Sequence, residues 1–391
     1  MSESIVRRSS PPDSASNPVT PPLQPSAVYS STDPDELDAQ YEGRLHGYTY
    51  AREGHPNADS LAETLSWLEG AEHPGVVTSS GMAAIGAVLL SLLERGSHVV
   101  GGDQLYGRSH HMLTVDLPRL GFEATLADPT DVIAVEAAIR PNTAAILVET
   151  VSNPTLRVAD LDGLAAVAER HDLQLIVDNT FTTPRMFRPF AHGADVVIHS
   201  VTKLLAGHSD LTLGFVAGRE KAITDAIRET VVTWGLTPSP FDCWLAERGL
   251  HTFELRYDRA EGTATALADA LADCESVEAV FYPGRDDHPD RARAAALFGD
   301  RTGTIVSIRL AGGREAANAF VRAASPVRFA PTLGDVSTML SHPASSSHRR
   351  LSEDQRTTSG ITEGFLRISV GIEDPDFLIP HLVAAAETST A

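Results

Sequence analysis

Lys203 follows directly on an apolar, β-prone run, Val196-Val-Ile-His-Ser-Val-Thr, and precedes the turn Gly207-His-Ser-Asp210. A long flexible amine at the mouth of a buried strand is poorly placed for packing. It is well placed to form an imine with a carbonyl cofactor. Taken alone, a lysine at a strand end is a solvated cap; an acid 25 positions earlier changes that reading. Leu173-Gln-Leu-Ile-Val-Asp178 is another short apolar run, and it ends in Asp178. Such runs, separated by helical stretches, read as parallel strands of an α/β sheet. Ligands of these sheets bind at the carboxyl ends of the strands, so Asp178 and Lys203 would reach one crevice. A Schiff-base lysine with a carboxylate for a pyridine nitrogen is the pair that pyridoxal phosphate chemistry requires. The carboxylate keeps that nitrogen protonated, so the ring can accept electrons from a substrate carbanion.

A phosphate needs its own seat. Val76-Val-Thr-Ser-Ser-Gly-Met82 reads as a strand, a turn of small residues and a helix start. Ser80, Gly81 and Met82 would present backbone N–H groups that lack intrahelical partners, at the positive end of the helix dipole. An ordinary serine N-cap gives the same local pattern. Ser200 and Thr202 could add hydroxyl donors, and Arg52 a bidentate charged contact.

The elements that must position these groups follow from the rest of the chain. Residues 1–26 are rich in Ser and Pro and read as a flexible or extended arm. Residues 27–54 hold Tyr41, Tyr48, Tyr50 and Arg52 and are too aromatic for plain linker. From about 58 to 245, helical runs alternate with short strand-like runs at Val76, His98, Ala144, Leu173, Val196 and Gly214. That alternation implies a mostly parallel sheet with helices on both faces. Ala246–Arg256 reads as a long connecting helix or its flank. Beyond it, Ala-rich helices mix with strand-like 277–282 and 303–310, an α+β arrangement. The expected division is an N-terminal arm over 1–54, a cofactor-binding domain over 55–252 and a C-terminal domain over 253–391.

Composition excludes several partners. The 391 residues carry 52 acidic against 31 basic side chains, a net charge of -21, so no broad basic face is available for nucleic acid or an anionic membrane. Two cysteines, Cys243 and Cys274, form no disulfide framework and no metal-ligand spacing. They read as reduced core thiols of a cytoplasmic protein. No stretch of about 18 apolar residues suggests a membrane span, and no signal peptide is expected.

In combination these segments resemble the Cys/Met-metabolism family of pyridoxal-phosphate enzymes, which includes cystathionine γ-synthase, cystathionine γ-lyase, methionine γ-lyase and the O-acetylhomoserine sulfhydrylases. The likeness runs from about Tyr48 to Leu382. It is carried by Tyr50-Ala-Arg52, Ser79-Ser-Gly-Met82, Asp103-Gln-Leu-Tyr-Gly107, Val177-Asp-Asn-Thr-Phe181, Ser200-Val-Thr-Lys-Leu-Leu-Ala-Gly-His208, His342-Pro-Ala-Ser345 and Leu366-Arg-Ile-Ser-Val-Gly-Ile-Glu-Asp374. The resemblance implies a fold-type I transferase-like architecture, with a large seven-stranded-type sheet domain and a smaller C-terminal domain. It implies that Lys203 carries the cofactor, Asp178 pairs with its ring nitrogen, and Tyr106 stacks on the ring as an acid/base. Gly81, Met82, Ser200 and Thr202 would bind the phosphate, joined by Tyr50 and Arg52 of a neighbouring chain. A homodimer would then be the minimal unit, a homotetramer the fuller one, with the arm docked on a partner. Glu149 and Asn153 match a Glu-x-x-x-Asn pattern, with Asn153 near the ring oxygen, and Arg367 would clamp the substrate α-carboxylate.

The activity implied is γ-elimination or γ-replacement on a sulfur amino acid or an O-activated homoserine, in transsulfuration and methionine and cysteine metabolism. A β-eliminating cystathionine or cysteine lyase is the alternative, and a catalytically silent member the third reading. Departures blur the substrate. Ala330-Pro-Thr-Leu-Gly-Asp335 has Pro331 where cystathionine-specific relatives have glutamate, and Thr332 keeps a hydroxyl. Arg108 stands where methionine γ-lyases have cysteine and is expected to favour an anionic group. Arg185 and His55 also depart from the family pattern.

Overall fold

The computed structural model describes residues 15–16 and 18–388; residues 1–14 and Asn17 of the expected arm, and residues 389–391, lie outside them. Two sheets organise the chain. The first runs through β1 (Val76–Thr78), β2 (His98–Gly102), β3 (Glu123–Ala127), β4 (Thr143–Glu149), β5 (Gln174–Asp178), β6 (Val196–Ser200) and β7 (Gly214–Gly218). Its strand order is β1-β7-β6-β5-β4-β2-β3, with β7 antiparallel to both neighbours and the remaining pairs parallel.

The strands are apolar on both sides because both sides are covered. Val77, Val100, Ile146, Val148, Leu175, Val177 and Val197 enter one core. Their alternating neighbours Val76, Val99, Ala145, Leu147, Ile176, Val196 and Ile198 enter a second core on the opposite face. The strand that the sequence pattern does not reveal is β3. It is an edge strand of sequence Glu-Ala-Thr-Leu-Ala with mostly half-exposed residues, and so lacks the apolar run that marks its neighbours.

The second sheet comprises β8 (Val277–Phe281), β9 (Ile305–Leu310), β10 (Arg328–Phe329), β11 (Met339–Ser341) and β12 (Phe365–Ser369), in the order β10-β11-β12-β9-β8. It packs its own core, including Leu267, Leu271, Phe320, Leu366 and Leu382.

Ala246–Arg256 is not one helix. The chain breaks at His251–Thr252 between helices Pro240–Leu250 and Phe253–Ala272. Arg256 explains the break: its guanidinium folds back onto the Gly249 carbonyl and also holds the Leu204 and Leu205 carbonyls.

The N-terminal segment folds onto the body. Helix α1 (Pro34–Tyr41) leads to an isolated bridge between Val28 and Tyr50. Tyr48 donates its hydroxyl to Asp59 of α2 (Pro56–Glu69). The Pro21 and Pro22 carbonyls accept from Trp244 and Asn57. Cys243 and Cys274 are free and buried. Among the described residues no helix is long and apolar enough to cross a membrane.

Candidate active site

Every parallel strand of the first sheet delivers its carboxyl end to the same edge, and the candidate residues sit there. A cavity of about 580 Å³ opens at that edge. It is lined by Ser80, Gly81, Met82, Tyr106, Arg108, Glu149, Asn153, Asp178, Ser200, Thr202, Lys203, Thr332 and Arg367.

Lys203 follows β6 through a backbone bond from its N–H to the Ser200 carbonyl. Its Nζ donates to Thr332 Oγ1 at 3.2 Å. Burial, and then the charge of Arg367, lower its pKa from the ordinary lysine value. Imine formation needs a neutral amine, so the shift favours that chemistry. Thr332 is held against the lysine by Gly334, whose φ is 80° and whose added Cβ would lie 2.4 Å from the Leu204 nitrogen. Only glycine allows the two backbones to approach so closely there.

Asp178 ends β5. Its Oδ1 accepts from the Thr180 N–H at 3.0 Å and the Thr180 hydroxyl at 2.6 Å. The same hydroxyl accepts from the Ser200 N–H at 2.8 Å, linking the ends of β5 and β6. Burial raises the Asp178 pKa; the Thr180 bonds and His199 oppose the rise. Glu149 pairs with Asp178 in register across β4 and β5. Burial and the Asp178 charge push its pKa well up, while the N–H groups of Tyr106 and Asn153 oppose. Its Oε1 accepts from the Tyr106 N–H at 2.6 Å, and its Oε2 is buried without a partner. A cationic ring nitrogen would find a carboxylate partner here, which fits the residues present to that group.

Helix α3 (Gly81–Leu92) starts beside Ser200: an added Cβ on Gly81 would lie 2.8 Å from the Ser200 Cβ. Ser80 is an N-cap, its hydroxyl accepting from the Ala83 N–H at 3.1 Å. The N-cap reading holds, and it is compatible with an anion seat, since the cap leaves Gly81 and Met82 at the cavity wall with no intrahelical acceptor for their N–H groups. Thr202 lines the cavity too, yet its hydroxyl already donates to the Leu213 carbonyl and accepts from the Leu213 N–H.

Arg367, on β12, is buried, with 5% of its surface exposed. Its Nη1 donates to Asn153 Oδ1 at 2.8 Å and its Nη2 to the Thr332 carbonyl at 2.7 Å; its Nε has no partner. Burial lowers its pKa to about 10. The donors and acceptors together suit the group that sequence implies: neutral N–H and hydroxyl groups for a phosphate, a carboxylate for a ring nitrogen, and an amine for a carbonyl.

Tyr50 and Arg52 are not brought to the cavity within one chain. Both are exposed; Arg52 pairs with Glu53 and lies over the Tyr50 ring. Two departures from the family pattern serve structure instead. His55 is the buried N-cap of α2, its Nδ1 accepting from the Ala58 N–H while its Nε2 meets the Pro238 carbonyl. Arg185 faces Asp258 and Glu254 of the helix Phe253–Ala272.

Sequence reasoning missed Thr180, Arg256, Arg349 and Arg350. Thr180 carried a signal, a hydroxyl two residues after an aspartate, which is the spacing of a local side-chain turn. Arg349 and Arg350 followed the His342-Pro-Ala-Ser345 motif as a cationic pair in an acidic chain. Arg256 carried none, since its partners lie about 50 residues away.

Comparison with known proteins agrees with this geometry. The family model described as Cys/Met metabolism PLP-dependent enzyme matches residues 3–387. The chain is 37% identical over 366 residues to cystathionine beta-lyase MetC of Bacillus subtilis (strain 168), covering 94% of this chain and 91% of that protein. It is 35% identical over 367 residues to L-methionine gamma-lyase of Porphyromonas gingivalis (strain ATCC BAA-308 / W83), covering 92% and 90%. The crystal structure of cystathionine gamma synthase from Xanthomonas oryzae pv. oryzae in complex with cystathionine superposes with a TM-score of 0.91 at 35% identity, covering 97% of this chain and 95% of that one. The three relatives carry three different reaction names on one scaffold, and with a family model spanning nearly its whole length, this chain belongs to the Cys/Met metabolism family of pyridoxal-phosphate-dependent enzymes.

Proposed function

We propose that the chain catalyses γ-elimination or γ-replacement on a sulfur amino acid or an O-activated homoserine. One observation carries this reading. Arg367 is a buried guanidinium whose partners are all neutral and whose Nε is unsatisfied, and it shares a cavity with Lys203 and Asp178. A substrate α-carboxylate is the anion that would complete it.

Pyridoxal phosphate, when bound, supplies a carbonyl for the substrate amine and an electron sink for charge developed at carbon. The chain's own groups do the rest. Asp178 holds positive charge at the ring nitrogen, fixed by its two bonds from Thr180. Ser80, Gly81, Met82 and Ser200 seat the phosphate, and Thr202, whose hydroxyl is engaged by Leu213, forms the wall beside them. Asn153, already oriented by Arg367, meets the ring oxygen. Lys203, kept toward the neutral amine, takes the α-proton at Nζ, with Thr332 aligning that nitrogen. Tyr106 lines the cavity and moves a proton to or from the γ-substituent at its hydroxyl.

The groups around the start of α3 are neutral. We assign Tyr50 and Arg52 of a second copy to the phosphate, which makes a homodimer the minimal unit and a homotetramer its natural extension. The free buried thiols fit a reducing compartment, and we place the enzyme in the cytoplasm.

A substrate panel tests the reaction: cystathionine, methionine, cysteine and O-acyl-homoserines, with and without a thiol, followed by keto-acid release and mass spectrometry. The expected products are 2-oxobutyrate without thiol and a thioether amino acid with it. Pyruvate as the sole keto acid would establish the β-lyase reading instead.

A further inference from the structure

We propose that the mouth of the cavity recognises a substrate whose γ-substituent ends in a carboxylate, through Arg108, Arg349 and Arg350. The proposal rests on the reading above and narrows its substrate class.

Arg108 lies on α4 (Gly107–His111), one residue into the helix that follows Tyr106. Arg349 and Arg350 lie on the segment after the short turn Pro343–Ser345. All three line the cavity and are exposed. The two segments form one wall: an added Cβ on Gly107 would sit 2.1 Å from the Ser347 carbonyl oxygen. Arg350 Nη1 also lies 3.4 Å from His111 Nε2.

Among the described residues none of the three forms an ion pair with a carboxylate. In a chain with 52 acidic residues and a net charge of -21, three unpaired guanidiniums around one opening are not a product of composition. Among the described residues the carboxylates lining the main cavity are Glu149 and Asp178, both at strand ends, and Asp103 lines the side cavity. The exposed rim therefore carries three cations with no carboxylate among its lining residues, while Glu149 and Asp178 sit deeper, beside Lys203 and Arg367.

There is also room for a longer side chain. A side cavity of about 190 Å³ adjoins the main one and shares Gly107, Asn153, Ser347 and Arg350 with it. With Arg367 assigned to the α-carboxylate on the reading above, the rim arginines make a second and separate anion site. Pro331 lines the same cavity and offers no charge to a distal amine. A single exposed arginine discriminates weakly, but three around one opening add their fields at the same place.

O-succinyl-L-homoserine and O-acetyl-L-homoserine share the bond to be broken and differ in the distal carboxylate. The test is kcat/KM for both with the wild-type enzyme and with Arg108→Gly, Arg349→Gln, Arg350→Gln and the triple variant. Cofactor absorbance and melting temperature identify any variant that has failed to fold. We expect the wild type to prefer the succinyl ester, through KM, by about tenfold or more, with the preference shrinking as salt is added. Each replacement is expected to lower the ratio by up to about fivefold, and the triple variant to abolish it. Equal efficiency with the two esters, or a ratio that folded triple variant leaves intact, overturns the rim proposal while the reaction reading stands. Failure of both esters to yield keto acid or thioether overturns the reaction on these esters, and this proposal with it.

Discussion

At the scale of single residues, the site is a set of groups held in uncomfortable states. Lys203 is biased toward its neutral form, Arg367 is buried without an anion, and Glu149 and Asp178 are pressed together. Such groups cluster where chemistry occurs. The lysine leads to a pH prediction. Burial is the larger cause of its lowered pKa and the Arg367 charge the second. Removing that charge in Arg367→Leu removes one lowering influence, so the Lys203 pKa rises. Cofactor uptake by the apoenzyme proceeds through the neutral amine, so its midpoint in a pH series should move to higher pH, read by absorbance. An unchanged or lower midpoint would contradict the coupling. Lys203 and Asp178 were legible in sequence because each ends an apolar run. Tyr106, Asn153 and Arg367 were legible only through family likeness, since a lone tyrosine, asparagine or arginine carries no local sign of burial or partner. Arg108 was legible as a departure, whereas its companions Arg349 and Arg350 became visible only when the fold laid their segment against α4.

At the scale of elements, the site depends on backbone approaches that side chains would block. Gly334 lets the segment bearing Thr332 lie against Lys203 and Leu204, with its N–H donating to Ser369 Oγ at 2.8 Å. Gly334→Ala adds a Cβ at positive φ and against a backbone nitrogen. The expected cost is about 1–3 kcal/mol of stability, with weaker cofactor retention because Thr332 withdraws from Lys203. Denaturant unfolding and dialysis against cofactor-free buffer check both. A variant that is destabilised yet retains cofactor normally would show that the Thr332 contact does not matter. Six of the seven strands of the large sheet were readable because both faces are covered and the runs are continuously apolar. The exception, β3, is a half-exposed edge. The break at His251–Thr252 was not readable, because a guanidinium bonding to carbonyls 51 and 52 residues distant decides it.

At the scale of the molecule, one chain holds the lysine, the carboxylate and the anion turn but leaves Tyr50 and Arg52 on its surface. If a second copy supplies them, two inactive variants should restore one another. Lys203→Ala and Arg52→Ala, co-expressed, form heterodimers with one intact site, and random pairing would recover roughly a quarter of the wild-type sites. No recovery above the separate variants would contradict the shared site. The two-sheet architecture was legible from the change of pattern near residue 250, whereas the seating of the arm on α2 was not, because it rests on scattered contacts such as Tyr48 to Asp59. The most direct test of the central claim uses a feature of the whole composition: the chain contains two lysines, Lys203 and Lys221. Lys221 is exposed and paired with Asp225. Reduction of the holoenzyme with borohydride, followed by peptide mass mapping, should place the pyridoxyl group on Lys203 alone. Its appearance on Lys221, or on neither lysine in protein that has bound the cofactor, would contradict the account.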